Sequence, residues 1–343
     1  LTKNLFKKAV CFTDLHFGKS SNSEDYNKKA AAFVDWFIEE GKAYGADTCI
    51  FLGDWHDSRI SVHVKTLNYS LEAMEKLSNA FENFHFIPGN HDIYHRTRRD
   101  YNSIEFARNI TNINIANEPT TVGNVALVPW LIGDEWKDVR KMKCKYMFGH
   151  FELPHFLMNA KVAMPDHGGL AANDLAGPEM LFSGHFHKRQ NQNNIWYIGN
   201  AFPQNYSDTD DDERGMMFLE WDKKPEFKAW PDQPIYRQYN LSELLVEPAD
   251  YIYKNVHARV TVDIDMSYEE AQVLKDGLVS GFDASDIKFI QKASDAEEAE
   301  WEQNVEFMSV DQIVVDGLNS LDNETAYEKK LLVDIYNDLN VES

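Results

Sequence analysis

Five short motifs hold residues able to do metal-assisted chemistry: Asp14-Leu-His16, Gly53-Asp54-Trp-His-Asp57, Gly89-Asn90-His91-Asp92, Gly149-His150 and Gly184-His185-Phe-His187. Each sets a carboxylate, imidazole or amide, ligands for hard and borderline cations, beside a turn or glycine that permits a sharp backbone path. Residues two apart on an extended segment point the same way, so Asp14 and His16, like His185 and His187, can aim into one space. A Gly-Asp at the end of an apolar run suits a carboxylate shared by two cations, and the Asn90 amide oxygen can ligate a hard cation. Singly, each motif also reads as a polar loop, with Asn90 as a turn former, Asp54 as a cap and the histidines hydrogen-bonded in place. Together, Asp14, His16, Asp54, Asn90, His150, His185 and His187 offer enough oxygen and nitrogen donors for a two-metal centre without thiolates.

The elements that must position these motifs follow from hydrophobic periodicity. Residues 9–13 form an apolar run that meets Asp14 before a signal-peptide length accumulates, and read as a first strand. Ala30, Phe33, Val34, Phe37 and Ile38 share one face of a helix over 27–42, and Leu67, Leu71, Met74, Leu77 and Phe81 recur at helical spacing. Strands are expected at 48–52 and 84–87, so strand and helix alternate twice, the order of a layered α/β domain. Further strands are expected at 125–130, 144–148, 180–182, 196–198 and 215–221, with a long loop over 151–178. The acidic run 208–213 reads as a solvated turn. Beyond a polar connector near 241–250, a strand over 256–264, a helix capped by Ser267-x-x-Glu270 and a strand at 287–290 compose a small β-α-β module. Ser309-x-x-Gln312 and Thr325-x-x-Glu328 each start an amphipathic run, which predicts two short C-terminal helices. No nucleotide-binding Gly-rich loop occurs, so ATP hydrolysis by this chain alone is not expected.

With these motifs in this order over residues 8–221, the sequence resembles the calcineurin-like metallophosphoesterases. The resemblance implies an α/β fold, a two-sheet sandwich flanked by helices, extended here by the small α+β capping module and the C-terminal helical pair. It implies one cation held by Asp14, His16, Asp54 and His187 and a second held by Asp54, Asn90, His150 and His185. It also implies that His91 contacts phosphate and protonates the leaving oxygen, with Asp92 orienting it. Family members often carry a further histidine shortly after the Gly-Asp, whereas this chain has His56 and Asp57, which are expected to support the ligands. The order of phosphoesterase, small module and helices is similar to the nuclease subunits of recombination and break-repair nuclease-ATPase complexes, those of T4-like phages in particular. That similarity implies three units, at 1–240, 250–293 and 305–343. It implies DNA as substrate, an SMC-like ATPase docked on the C-terminal helices, and a self-dimer giving a two-nuclease, two-ATPase complex. A location inside the cell, the host cytoplasm for a phage-borne chain, is the corresponding expectation.

Composition limits these expectations. The 343 residues carry 34 Lys and Arg against 56 Asp and Glu, a formal charge of −22, which excludes DNA or anionic-membrane binding through the whole surface. Lys19, His95, Arg96, Arg98 and Arg99, just beyond two metal loops, are the best local candidates for phosphate contacts. Mn²⁺ suits the mixed Asp, Asn and His donors, with Mg²⁺ as the other candidate. Cys11, Cys49 and Cys144 form no redox or metal pair by spacing. The motifs fit equally a small-substrate phosphatase or cyclic-nucleotide phosphodiesterase, and a non-catalytic scaffold with a vestigial site is the third reading.

Overall fold

The computed structural model describes residues 4–158, 162–166 and 168–291; the expected C-terminal helical pair at 305–343 and the end of the small module at 292–293 lie outside the described residues. The strands are β1 (Lys8–Phe12), β2 (Thr48–Phe51), β3 (Asn83–Phe86), β4 (Ile113–Ile115), β5 (Thr120–Val122), β6 (Val125–Val128), β7 (Tyr146–His150), β8 (Met180–Gly184), β9 (Gln190–Gln192), β10 (Ile195–Tyr197), β11 (Gly215–Glu220), β12 (Glu226–Ala229), β13 (Ile235–Asn240), β14 (Val256–Val262) and β15 (Asp286–Gln291). The long helices are α1 (Glu24–Tyr44), α2 (Val64–Ala80) and α3 (Tyr268–Phe282).

Two six-stranded mixed sheets form the sandwich, in the orders β12-β11-β1-β2-β3-β4 and β5-β6-β7-β8-β10-β9. β1, β2, β3 and β4 run parallel, as do β6, β7, β8 and β10, while β11, β12, β5 and β9 pair antiparallel at the edges. Both faces of the first sheet are covered, which is why its central strands are continuously apolar rather than alternating. Ala9, Cys11, Ile50 and Leu52 face the second sheet, packing with Leu127, Tyr146, Phe148 and Phe182. Val10, Phe12, Cys49 and Phe51 face the helices, against Phe33, Val34 and Phe37 of α1 and Met74 and Leu77 of α2. The far face of the second sheet is covered by Val139, Phe151, Phe156 and Leu175.

Helix boundaries follow local chemistry. Ser23 caps α1 by accepting from Tyr26 N, Glu24 and Asp25 occupy its first turn, and Gly45 ends it in the left-handed region at φ 76°. α3 begins with the Ser267–Glu270 capping box read from the sequence. It packs with a three-stranded parallel sheet, β13-β14-β15, around Leu244, Ile252, Val260, Leu278 and Ile287. Its strand β13 has no counterpart in the sequence expectations, because Ile235-Tyr-Arg-Gln-Tyr-Asn240 is at most half-buried and the adjacent Arg237 and Gln238 break the apolar–polar alternation of a strand. No helix among the described residues is long and apolar enough to cross a membrane.

Candidate metal centre

Parallel pairing gathers the motifs. Asp14 and His16 follow β1, Asp54 follows β2, Asn90 and His91 follow β3, His150 ends β7, and His185 and His187 follow β8. The carboxyl ends of both parallel sets meet at one end of the sandwich, where loops converge on a crevice. Four of these residues have left-handed backbones, at φ 53° for Asp14, 51° for His16, 62° for Asp54 and 85° for His185. Such conformations are unfavourable for residues with a Cβ and persist where the surroundings impose them, commonly at functional sites. Gly89 is required by close approach: a Cβ there would run into the Asp54 carboxylate and backbone nitrogen. The Gly-Asp and Gly-Asn motifs thus interlock backbone against backbone.

Among the described residues three groups of candidate divalent-cation donors have their atoms within 4.8 Å of one another; besides His16 with Asp57 and His91, they are the two that gather the expected ligands, Asp14 with His16 and His187, and Asp54 with His150 and His185. Asp54 Oδ2 joins them, 3.8 Å from His16 Nε2 and 3.4 Å from His150 Nε2. Asn90 Oδ1 stands 3.1 Å from both His150 Nε2 and His185 Nδ1. Asp14 Oδ1 is 3.8 Å from His16 Nε2 and 3.9 Å from His187 Nε2. These separations suit donors around one ion, since ligands bound at about 2.1 Å sit about 3–4 Å apart. The fit has a second mark. Asp14 Oδ2 accepts from Thr13 Oγ1 at 2.6 Å and His185 N at 3.1 Å, whereas buried Asp14 Oδ1 and both His16 nitrogens have no hydrogen-bond partner. A buried carboxylate oxygen left so would be costly unless a cation met it.

Around the donors, supports emerge whose partners lie far off in sequence. Asp92, expected to orient His91, has its carboxylate engaged by backbone N–H groups. Its Oδ2 accepts from Gly89 N and Asp54 N at 2.8 Å, and its Oδ1 from Trp55 N at 2.9 Å and His56 N at 3.3 Å. Side chains of consecutive residues in a turn diverge, so Asp92 clips the two ligand loops together while His91 faces elsewhere. The His91 ring gives its Nδ1 proton to the Asp57 carbonyl at 2.6 Å, and its backbone N–H donates to Asp54 Oδ1 at 2.8 Å. The Asp57 carboxylate lies 3.3 Å from His16 Nδ1 and 3.3 Å from Lys19 Nζ. His56 is buried between Ser70 Oγ at 2.8 Å and Ser103 Oγ at 2.9 Å, and burial lowers its pKa to about 3, so it packs as a neutral brace.

The expected phosphate contacts have partners within the chain. Arg99 holds the Trp130 carbonyl and Glu135, His95 is buried against Arg98, and Lys19 pairs with Asp57. Arg98 also meets Asp100 at 3.1 Å; Arg96 and Arg98 are exposed. The acidic run is not a solvated turn. Asp208 is buried, pairs with buried Arg214 at 3.4 Å, and accepts from Gln204 N at 2.8 Å, and Gln204 Nε2 in turn donates to the Asp14 carbonyl at 2.7 Å. Gln204 carried no signal in the sequence; for Asp208, the one available signal was Arg214 close by.

The family model of calcineurin-like phosphoesterases matches residues 7–189. The chain belongs to this family. Over 346 aligned residues it is 25% identical to exonuclease subunit 1 of enterobacteria phage T4, covering 98% of this chain and 99% of that one. Among solved structures it is similar to the phosphoesterase Yfce from E. coli, at 14% identity over 66% of this chain and 96% of that one, with a TM-score of 0.35. It is also similar to a dimetal phosphatase from Danio rerio, at 10% identity over 65% and 95%, with a TM-score of 0.37.

Carboxylates govern protonation in this phosphoesterase. Burial alone would lower the pKa of His16, yet the neighbouring Asp14 and Asp57 carboxylates raise it to about 9. At His150 burial is likewise overridden, by Asp54 and Asp14, and the pKa again rises to about 9. A proton therefore resides on each ring at neutral pH, and a cation must displace it. Mn²⁺ affinity is expected to climb as pH rises toward about 9, where the rings lose those protons unaided. The slope is about tenfold per pH unit for each proton displaced. Titration calorimetry in buffers of different ionisation enthalpy reads affinity and proton release together; uptake without proton release would contradict this assignment.

Proposed function

We propose that this metallophosphoesterase is the nuclease subunit of a DNA-processing complex, cleaving phosphodiester bonds with Asp14, His16, Asp54, Asn90, His150, His185 and His187 as ligands. The observation that carries the chemistry is the continuity of donors through Asp54, with the His91 ring 5.0 Å from that of His16. Two divalent cations bound there supply a water acidic enough to ionise near neutral pH and stabilise charge on the phosphate oxygens. The chain itself then has to position substrate and manage a proton. With Nδ1–H fixed on the Asp57 carbonyl, His91 Nε2 is the nitrogen that exchanges. Burial lowers the His91 pKa, which makes its imidazolium a stronger acid toward a departing sugar oxygen.

The DNA reading is supported by the end-to-end similarity to a phage exonuclease subunit. In this proposal residues 1–240 form the nuclease unit, 250–293 a capping module and 305–343 the dock for an SMC-like ATPase, within a two-nuclease, two-ATPase assembly in the cell interior. Two cations offset four of the 22 net negative charges, so strong DNA capture requires a basic partner. The test is cleavage of end-labelled linear and blocked-end DNA in Mn²⁺ or Mg²⁺, by the chain alone and with its ATPase, for the full chain and for one truncated after residue 304. Metal-dependent cleavage, with its ATPase-stimulated part lost on truncation, is the expected result. Hydrolysis of p-nitrophenyl phosphate or a cyclic nucleotide without any DNA cleavage would make it a small-substrate enzyme instead.

A further inference from the structure

Beside the Asp54, His150 and His185 donors lies a pocket of about 160 Å³, lined by Trp130, Leu131, Trp136, Phe151, Leu170 and the flank of His150. The Trp130 ring is 6.0 Å from the His150 ring and 5.1 Å from the His185 ring, so the apolar wall begins where the cation donors end. The loop that carries it is fixed. Trp130 N donates to the Pro88 carbonyl at 2.9 Å, just before the Gly-Asn motif, and Arg99 Nε donates to the Trp130 carbonyl at 3.1 Å. Glu135, ion-paired to Arg99, accepts from Ile132 N at 2.9 Å. Trp136 opens the helical turn Trp136–Val139, with the Arg140 guanidinium over its ring at 5.2 Å.

The composition of this wall selects its occupant. Among the described residues no Lys or Arg lines it, and Glu152 adds a negative charge, so a phosphate is disfavoured there. Two indoles and aliphatic side chains match an uncharged planar ring, the stacking surface that proteins give to single-stranded bases. We infer that the pocket receives the unstacked nucleobase of the nucleotide whose phosphate lies at His150 and His185. A base within a continuous duplex is stacked and must be splayed out to enter, so the favoured substrate is a single strand or a frayed end. The assignment rests on the nuclease reading above.

Two single strands test it, one normal and one carrying an abasic residue at the cleaved nucleotide. The parent is expected to show a KM about tenfold or more lower for the normal strand, the range of one base–aromatic stack. Trp136→Ala should bring the two KM values together, and Trp136→Phe should restore most of the difference, which marks the ring rather than the loop's fold. Titration calorimetry of the Mn²⁺-loaded parent should show tighter binding of deoxyadenosine 5′-monophosphate than of deoxyribose 5-phosphate. Cleavage of both strands by the parent with equal KM overturns the base pocket and leaves the nuclease standing. A Trp136→Ala protein that keeps the parental KM ratio, or a Trp136→Phe protein that fails to restore it, also overturns the pocket. Cleavage of neither strand by the parent overturns both readings.

Discussion

With both cations loaded, His91→Asn protein is expected to cleave DNA about 10²- to 10⁴-fold more slowly than the parent, the usual loss when a positioned acid is removed. Asparagine isolates the effect. Its side-chain N–H can still meet the Asp57 carbonyl that holds His91 Nδ1, and the backbone N–H that holds Asp54 Oδ1 is unaffected by the side chain. What disappears is Nε2, the nitrogen able to pass a proton to a leaving oxygen. Metal content by elemental analysis should therefore stay near parental while turnover collapses, and the residual activity should lose the alkaline fall that tracks loss of the imidazolium proton. Parental turnover in a fully loaded His91→Asn protein would remove His91 from the reaction. A protein that loses its metals as well as its activity would show that His91 holds the site together instead of acting on substrate.

The donors were legible in the sequence because each terminates an apolar run buried on both faces, and parallel pairing then leaves little freedom in where the loops meet. Edge strands were not: Gln190–Gln192 and Glu226–Ala229 are short and polar, and only pairing with β10 and β11 makes them strands. The contacts of the supports around the donors are hidden for a different reason. Proximity along the chain pairs Asp92 with His91, and charge offers Arg99 to DNA, whereas both also hold partners 31 to 38 residues away. Trp130 and Trp136 carry no pattern of their own, and their meeting beside His150 depends on the Arg99–Glu135 pair, a tertiary contact. Buried polar residues satisfied by distant backbone are invisible to periodicity, since neither helical nor strand spacing places them.

Asp92 therefore carries the second large effect. Its two oxygens accept four backbone N–H groups, from Gly89 and Asp54 on one side and Trp55 and His56 on the other. Burial and the Asp54 charge raise its pKa to about 7, against the pull of those donors. A proton on either oxygen would confront two N–H groups, so the four contacts belong to the ionised form, which burial and the Asp54 charge disfavour. Asp92→Asn replaces one acceptor oxygen by an NH₂ that faces donors, leaving two buried N–H groups unsatisfied at about 1–3 kcal/mol each. Urea unfolding of the metal-free protein at mildly alkaline pH should show a loss of about 2–5 kcal/mol. Because the clip fixes the loops bearing Asp54 and Asn90, Mn²⁺ affinity should fall as well, by about 10- to 100-fold, the usual cost of losing a group that holds ligands in place. An Asp92→Asn protein with parental stability and parental affinity would mean that the carboxylate is protonated when the site is formed, and that the four contacts do not set the loops. Lost stability with retained affinity would separate the two roles, leaving the interlocked glycine motifs to position the donors.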